Sequence, residues 1–174
     1  LDENIKNLVK KLKQKAYRPV PVKRTYIEKP GTKMKRPLGI PDHEDKIVQR
    51  AIGKILNAIY ENDFLDSSFG FRPGRNCHDA LKILNVYLEE RYTNYVVDVD
   101  IKGFFDNVNH DWMMKFLQHR INDPSLLRII ARFLKGGYME QGKYFDTNNG
   151  TPQGGIISPI LANVYLHYVL DLWF

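Results

Sequence analysis

The sequence of 174 residues contains a single cysteine, Cys77, so no intrachain disulfide can form. Its five histidines, His43, His78, His110, His119 and His167, nowhere stand at the spacing of a zinc site. No apolar run approaches the ~20 residues that a membrane span requires. The opening DENIKNLVKKLKQK is too charged for the apolar core of a secretory signal. Repeats and low-complexity stretches are absent as well. These absences exclude a disulfide scaffold and a spanning helix, and they lead to the expectation of a soluble protein of a reducing, cytoplasmic compartment with no membrane partner. Negative charge is the scarcer sign: 20 acidic residues face 26 basic ones, a formal net charge of +6, with the excess concentrated in the first fifty residues. A polyanionic partner suits that balance, and so does a solvated basic face.

What is present reads as a folded chain, with 43% hydrophobic and 12% aromatic residues. Ile5, Leu8, Val9 and Leu12 predict an amphipathic helix that stops near the two prolines of YRPVP at 17–21. Residues 22–41 mix β-branched and basic side chains around Pro30-Gly31 and predict a hairpin. Helical periodicity resumes over 45–64, with Ile47, Val48, Ala51, Ile52, Ile55, Leu56 and Ile59 on one buried stripe. SSFGFRPGRN at 67–76 is a loop whose Asn76 caps a helix over 77–92. A strand follows at 95–101, then a helix from near Asp111. Asp123 and Pro124 open another helix, ended by glycine at 137. A second hairpin lies within 138–155, and Ser158 and Pro159 open a last helix. The alternation is that of an α+β fold.

YVVDVDIKGFFDNVNH at 95–110 sets aspartates into an apolar strand, where an uncompensated charge is costly and a cation is the natural companion. Asp98 and Asp100 alternate onto one face, with Val97 and Val99 on the other. With the Ile101 carbonyl they make half of an oxygen-ligand Mg²⁺ site, or simply a solvated strand end. Phe104 and Phe105 suit core filling or the wall of a nucleotide pocket. KMKRPLGIP suits a phosphate clamp or an exposed basic hairpin. In TPQGGIISP two glycines admit a ligand to the backbone and Gln153 offers an amide, although a tight turn reads the same way. SFGFRPGRN places arginine beside aromatic rings, a combination that also suits stacking on nucleic acid.

Taken in order, KRPLGIP, SFGFRPGRNCHDAL, DVDIKGFFDNVNH and NNGTPQGGIISPILANVYL resemble consecutive blocks of the reverse transcriptases encoded by bacterial group II introns. The resemblance runs from about Tyr17 to Leu170. It implies the fingers of a right-hand polymerase with an incomplete palm, an antiparallel sheet packed with helices. Fingers would occupy 1–94, the palm strand with the first catalytic aspartate 95–110, further fingers 111–153 and a palm helix 154–174. The resemblance makes Asp100 the first catalytic aspartate, ligand to both of two Mg²⁺ ions, with the Ile101 backbone carbonyl as a further ligand and Asp98 a mere neighbour. It assigns Lys29 and Arg36 to the incoming triphosphate and Phe105 to the gate beneath the sugar. Gln153 and Gly154 would lie by the incoming nucleotide and template, and Phe71, Arg72 and Arg75 along the template strand.

The implied activity is RNA-directed DNA polymerisation from dNTPs on an RNA template with a DNA primer, together with binding of intron RNA for splicing and retrohoming. Such nucleotidyl transfer uses two cations roughly 3.5–4 Å apart. The family's second acidic block, Tyr-Xaa-Asp-Asp, has no counterpart in 155–174. The sequence also ends on an apolar helix, so the expectation is a piece of a longer protein, inactive alone but retaining RNA affinity. Alternatives are a splicing maturase without polymerase activity, or a retron, diversity-generating or CRISPR-associated reverse transcriptase. The apolar end, Val169, Leu170, Leu172, Trp173 and Phe174, offers a surface for a homodimer.

Overall fold

A computed structural model describes residues 2–28, 30–31, 33–90, 93–151 and 154–173, with Glu90 described by its backbone alone. Lys29, Gln153 and Phe174 therefore lie outside the described residues. Helix α1 (Asp2–Lys13) buries Leu8 and ends ahead of the prolines. The predicted hairpin follows as β1 (Val22–Glu28) and β2 (Lys35–Ile40), antiparallel from Lys23↔Ile40 to Glu28↔Lys35.

Asp42 opens α2 (His43–Tyr60), its carboxylate accepting the Glu44 N–H at 3.1 Å. The buried face of α2 is rotated from the predicted stripe. Val48, Ile52 and Leu56 are buried as expected, but Ile47 and Ile55 are exposed, and the polar Asp45 and Gln49 are buried instead. Hydrogen bonds make that rotation tolerable. Asp45 accepts from the Tyr17 hydroxyl and, at 3.0 Å, from the Val20 N–H, while Gln49 Oε1 accepts the Ile157 N–H at 3.3 Å.

Helix α3 (Cys77–Glu90) is capped as expected, Asn76 Oδ1 accepting the Asp79 N–H at 3.1 Å. Its apolar residues Leu81, Leu84 and Leu88 are nonetheless exposed. The strand predicted at 95–101 does not form: residues 95–100 are irregular, with Tyr95 and Val97 89% and 83% exposed. A strand exists only through its ladder partners, and all four strands of the sheet lie elsewhere. A short helical turn, α4 (Phe104–Asn107), comes next.

Helix α5 (His110–Arg120) is capped by Asn109 and starts one residue ahead of the expected Asp111, and α6 (Pro124–Leu134) is capped by Asp123 with Pro124 in its first turn. Strands β3 (Tyr138–Glu140) and β4 (Lys143–Phe145) then turn tightly through Gln141 and Gly142. Helix α7 (Ser158–Leu166) passes into one π-helical turn, His167–Asp171. Leu56, Tyr60, Met113, Leu117, Ile130, Leu134, Leu161 and Val164, contributed by α2, α5, α6 and α7, form the heart of the core. Each such side chain contributes roughly 1.5–3 kcal/mol on burial.

The sheet order is β2-β1-β3-β4. Both hairpins are antiparallel, but β1 meets β3 in parallel through Val22↔Tyr138 and Lys23↔Met139, so the sheet is mixed rather than wholly antiparallel. That joint is not set by a turn. The helices between the two hairpins decide its direction. Among the described residues no helix is long and apolar enough to cross a membrane.

Candidate functional site

Two of the sequence blocks meet behind α4. Gly103 opens that turn, and Asn107 Nδ2 donates to the Gly103 carbonyl at 2.8 Å. The backbone that follows runs beside 149–151. Gly150 N–H donates to the Val108 carbonyl and Thr151 N–H to the Phe105 carbonyl, each at 2.7 Å, and Asn109 bridges Asn149. Thr151 Oγ1 donates to Ser158 Oγ at 2.7 Å, which ties the loop to α7. At its far end Gly154 lies against β2 at φ 104, where a Cβ would stand 2.5 Å from the Gly39 carbonyl oxygen. Only glycine permits that approach.

This arrangement encloses a cavity of about 180 Å³ lined by Arg24 and Gly39 from the first hairpin, Tyr138 from the second, and Phe105, Asn149 and Gly150 from the joined loops. Phe105 is half-buried in its wall, against Phe104 edge to face at 5.5 Å. The Arg24 guanidinium lies 3.3 Å over the Tyr138 ring centroid. Arg36, exposed on β2 opposite Ile27, shares that strand with Gly39. The structure thus brings Phe105, Gly154 and the Arg36 strand to one place. Arg24 escaped the sequence reading, which had only a run of basic residues to go on; its stacking on Tyr138 depends on the β1–β3 joint.

Asp98, Asp100 and Ile101 sit apart, exposed in the irregular segment. Asp100 offers the hard oxygen that a divalent cation takes, but among the described residues no three His, Cys, Asp or Glu side chains gather into a metal site. The donor chemistry fits and the number of donors does not.

The FRPGR block divides. Phe71, at φ 56, is 73% exposed. Arg72, expected along the template, is instead buried: Nε and Nη2 donate to Glu61 Oε1 at 2.9 and 2.7 Å, and Nη1 donates to the carbonyls of Leu65 and Ser68 at 2.6 and 2.9 Å. Its fork closes the loop from within. Arg75 donates to the Asp66 carboxylate and carbonyl, both at 2.6 Å. Phe71 borders an open groove of about 540 Å³ with Arg50 and Lys54 of α2 and Ile156 and Pro159 near α7. Arg50 and Lys54, one helical turn apart, belong to no motif; their helical spacing was the available signal. Deeper in, burial pushes the Asp45 carboxyl above its ordinary range, and burial with the hydrogen bond to Asp45 pushes the Tyr17 phenol up.

A family model described as reverse transcriptase (RNA-dependent DNA polymerase) matches residues 27–173. The group II intron-encoded protein LtrA of Lactococcus lactis subsp. cremoris is 47% identical over 175 residues, which is 98% of this chain and 29% of LtrA. Protein YkfC of Escherichia coli (strain K12) is 38% identical over 154 residues, covering 87% of this chain and 40% of its own. Among solved structures, a chain of the partial Cas6-RT-Cas1--Cas2 complex superposes with a TM-score of 0.60 at 24% identity over 98% of this chain and 29% of that one, a likeness of fold. The chain spans less than a third of LtrA and two-fifths of YkfC. On the family match, the chain belongs to the reverse transcriptase family, and it is similar to group II intron-encoded proteins.

Proposed function

We propose that this chain is the nucleotide- and template-holding part of an RNA-directed DNA polymerase that extends a DNA primer on RNA and also binds its intron RNA for splicing and retrohoming. The observation that carries this reading is the cavity between the basic hairpin and the joined loops, with Phe105 in its wall and Gly154 against β2. In this reading Arg36 and Lys29 neutralise the triphosphate of the incoming dNTP, and Gln153 and Gly154 border nucleotide and template. The Phe105 ring lies under the sugar and leaves no room for a 2′-hydroxyl. Phe71 stacks at the template, flanked by Arg50, Lys54 and Arg75, while Arg72 holds that loop in shape. We assign Asp100 and the Ile101 carbonyl a share in holding two Mg²⁺ ions, whose remaining ligands these residues do not supply; one ion would activate the primer 3′-hydroxyl and the other neutralise the leaving pyrophosphate. The fingers comprise 1–94 and 111–153, and the palm 95–110 and 154–174.

The protein works in the cytoplasm, and its exposed Val169, Leu170 and Leu172 favour a homodimer, which a concentration-independent monomer mass in light scattering would refute. The deciding experiment is primer extension on an RNA template with Mg²⁺ and dNTPs, by a protein of the length of its intron-encoded relatives and by its Asp100→Ala variant. Extension that vanishes in the variant, with RNA binding kept, is the expected result. Extension unchanged in the variant overturns the role of Asp100. A folded wild type that binds RNA without extending a primer is a splicing maturase alone.

A further inference from the structure

Gly150 and His110 have no part in the proposed chemistry, yet they fix the backbone that carries Phe105. The Phe105 carbonyl accepts the Thr151 N–H, and the Val108 carbonyl accepts the Gly150 N–H. Gly150, at φ 84, lies so close that an added Cβ would stand 2.8 Å from the Phe105 carbonyl oxygen and 2.9 Å from that of Asp106. These are backbone atoms and cannot swing aside. The Gly150 carbonyl in turn faces His110 Nε2 at 2.5 Å. A carbonyl oxygen only accepts, so the ring proton sits on Nε2. The other ring nitrogen, Nδ1, is buried without a hydrogen-bond partner among the described residues. An unsatisfied buried polar atom costs about 1–3 kcal/mol, so the imidazole is held in the core at a penalty, its one polar contact among the described residues being the Gly150 carbonyl.

We propose that Gly150 and His110 form a backstop that sets how far the Phe105 ring projects into the cavity, and thereby how strictly deoxyribonucleotides are preferred over ribonucleotides. Both are positioning residues. The inference rests on the reading of Phe105 as the wall beneath the sugar. A wall that excludes one hydroxyl works by steric overlap, which rises steeply at short range, so a retreat of about 0.5–1 Å is enough to open room for that hydroxyl. Val108 and His110 are buried and anchored in the core, so a Cβ at position 150 displaces the Phe105–Asp106 backbone.

The test is the ratio of kcat/KM for a dNTP to that for the matching rNTP, measured in a protein of relative length. The variants are Phe105→Ala, Gly150→Ala, His110→Gln, His110→Leu and the Phe105→Ala/Gly150→Ala double. Gly150→Ala is expected to lower the ratio by about tenfold or more. His110→Gln, whose amide can still donate to the Gly150 carbonyl, keeps the ratio, and His110→Leu lowers it. In the Phe105→Ala background Gly150→Ala leaves the ratio where it stands, because the two act through one ring. If Phe105→Ala leaves the ratio unchanged, the sugar-wall reading itself fails. If Phe105→Ala lowers it while folded Gly150→Ala and His110→Leu change turnover alone or nothing, the backstop is overturned. Equal effects of Gly150→Ala with and without Phe105 also overturn it. Should Gly150→Ala not fold, the contrast of His110→Gln with His110→Leu decides.

Discussion

Arg72 turns its guanidinium inward onto Glu61 and two loop carbonyls, with its side chain 3% exposed and that of Glu61 32%. Removing it takes the donor from Glu61 Oε1 and the Ser68 carbonyl, while the Leu65 carbonyl keeps the Ser68 N–H, so Arg72→Ala should cost about 3 kcal/mol of stability, seen as a lower urea midpoint. Arg72→Lys should recover little, since a point charge cannot reproduce the fork. An Arg72→Ala protein as stable as wild type would refute this role. Asp45 carries a pH signature. Its folded carboxyl binds a proton more tightly than the unfolded one, so the stability it contributes is fullest below the ordinary 3.8 and is lost as pH rises through the raised value. Relative to Asp45→Asn, the wild type should therefore lose stability as pH rises above the ordinary carboxyl range in parallel denaturation curves. Parallel midpoints over that rise would contradict it. FRPGR was legible as a block with arginines beside aromatic rings. Which arginine points outward was not, because Glu61 belongs to a different segment and the pattern of residue types carries no direction.

At the scale of elements, the hairpins and helix caps were legible because their causes are local: Pro30-Gly31, Asn76 and Asp123 act within a few residues. The buried face of α2 was misjudged because Asp45 and Gln49 find partners, Val20 and Ile157, far along the chain. The strand at 95–101 was misjudged for a kindred reason, since alternation describes one strand and pairing requires two. Helix α3 was placed correctly but its apolar side is uncovered. Its amides should therefore exchange with solvent orders of magnitude faster than those of α6, which buries Leu127, Ile130, Phe133 and Leu134. Hydrogen-exchange mass spectrometry on this chain checks it, and equal protection of the two helices would mean that α3 is covered.

Over the whole molecule, a net charge of +6 and the basic border of the open groove predict that RNA affinity falls steeply with salt, as released counterions require. Arg50→Ala with Lys54→Ala should reduce the slope of log affinity against log salt by about 1–2. A flat response from low to physiological salt would count against phosphate contact. The family was legible from the order of four blocks. The cavity was not, because Arg24, Gly39, Tyr138 and Phe105 share it only once the chain is folded.

The parallel joint between the hairpins carries a consequence for the chain as it is made. Val22 can find Tyr138 only after every helix from α2 to α6 has been synthesised. At ~5–20 residues per second, the far edge of β1 stays open for on the order of ten seconds on the ribosome. Each hairpin closes alone within microseconds, so the first must wait for the second with an unpaired edge. Lys23 and Arg24, the two basic residues of β1, are suited to that interval, keeping the waiting edge from joining a neighbouring nascent chain.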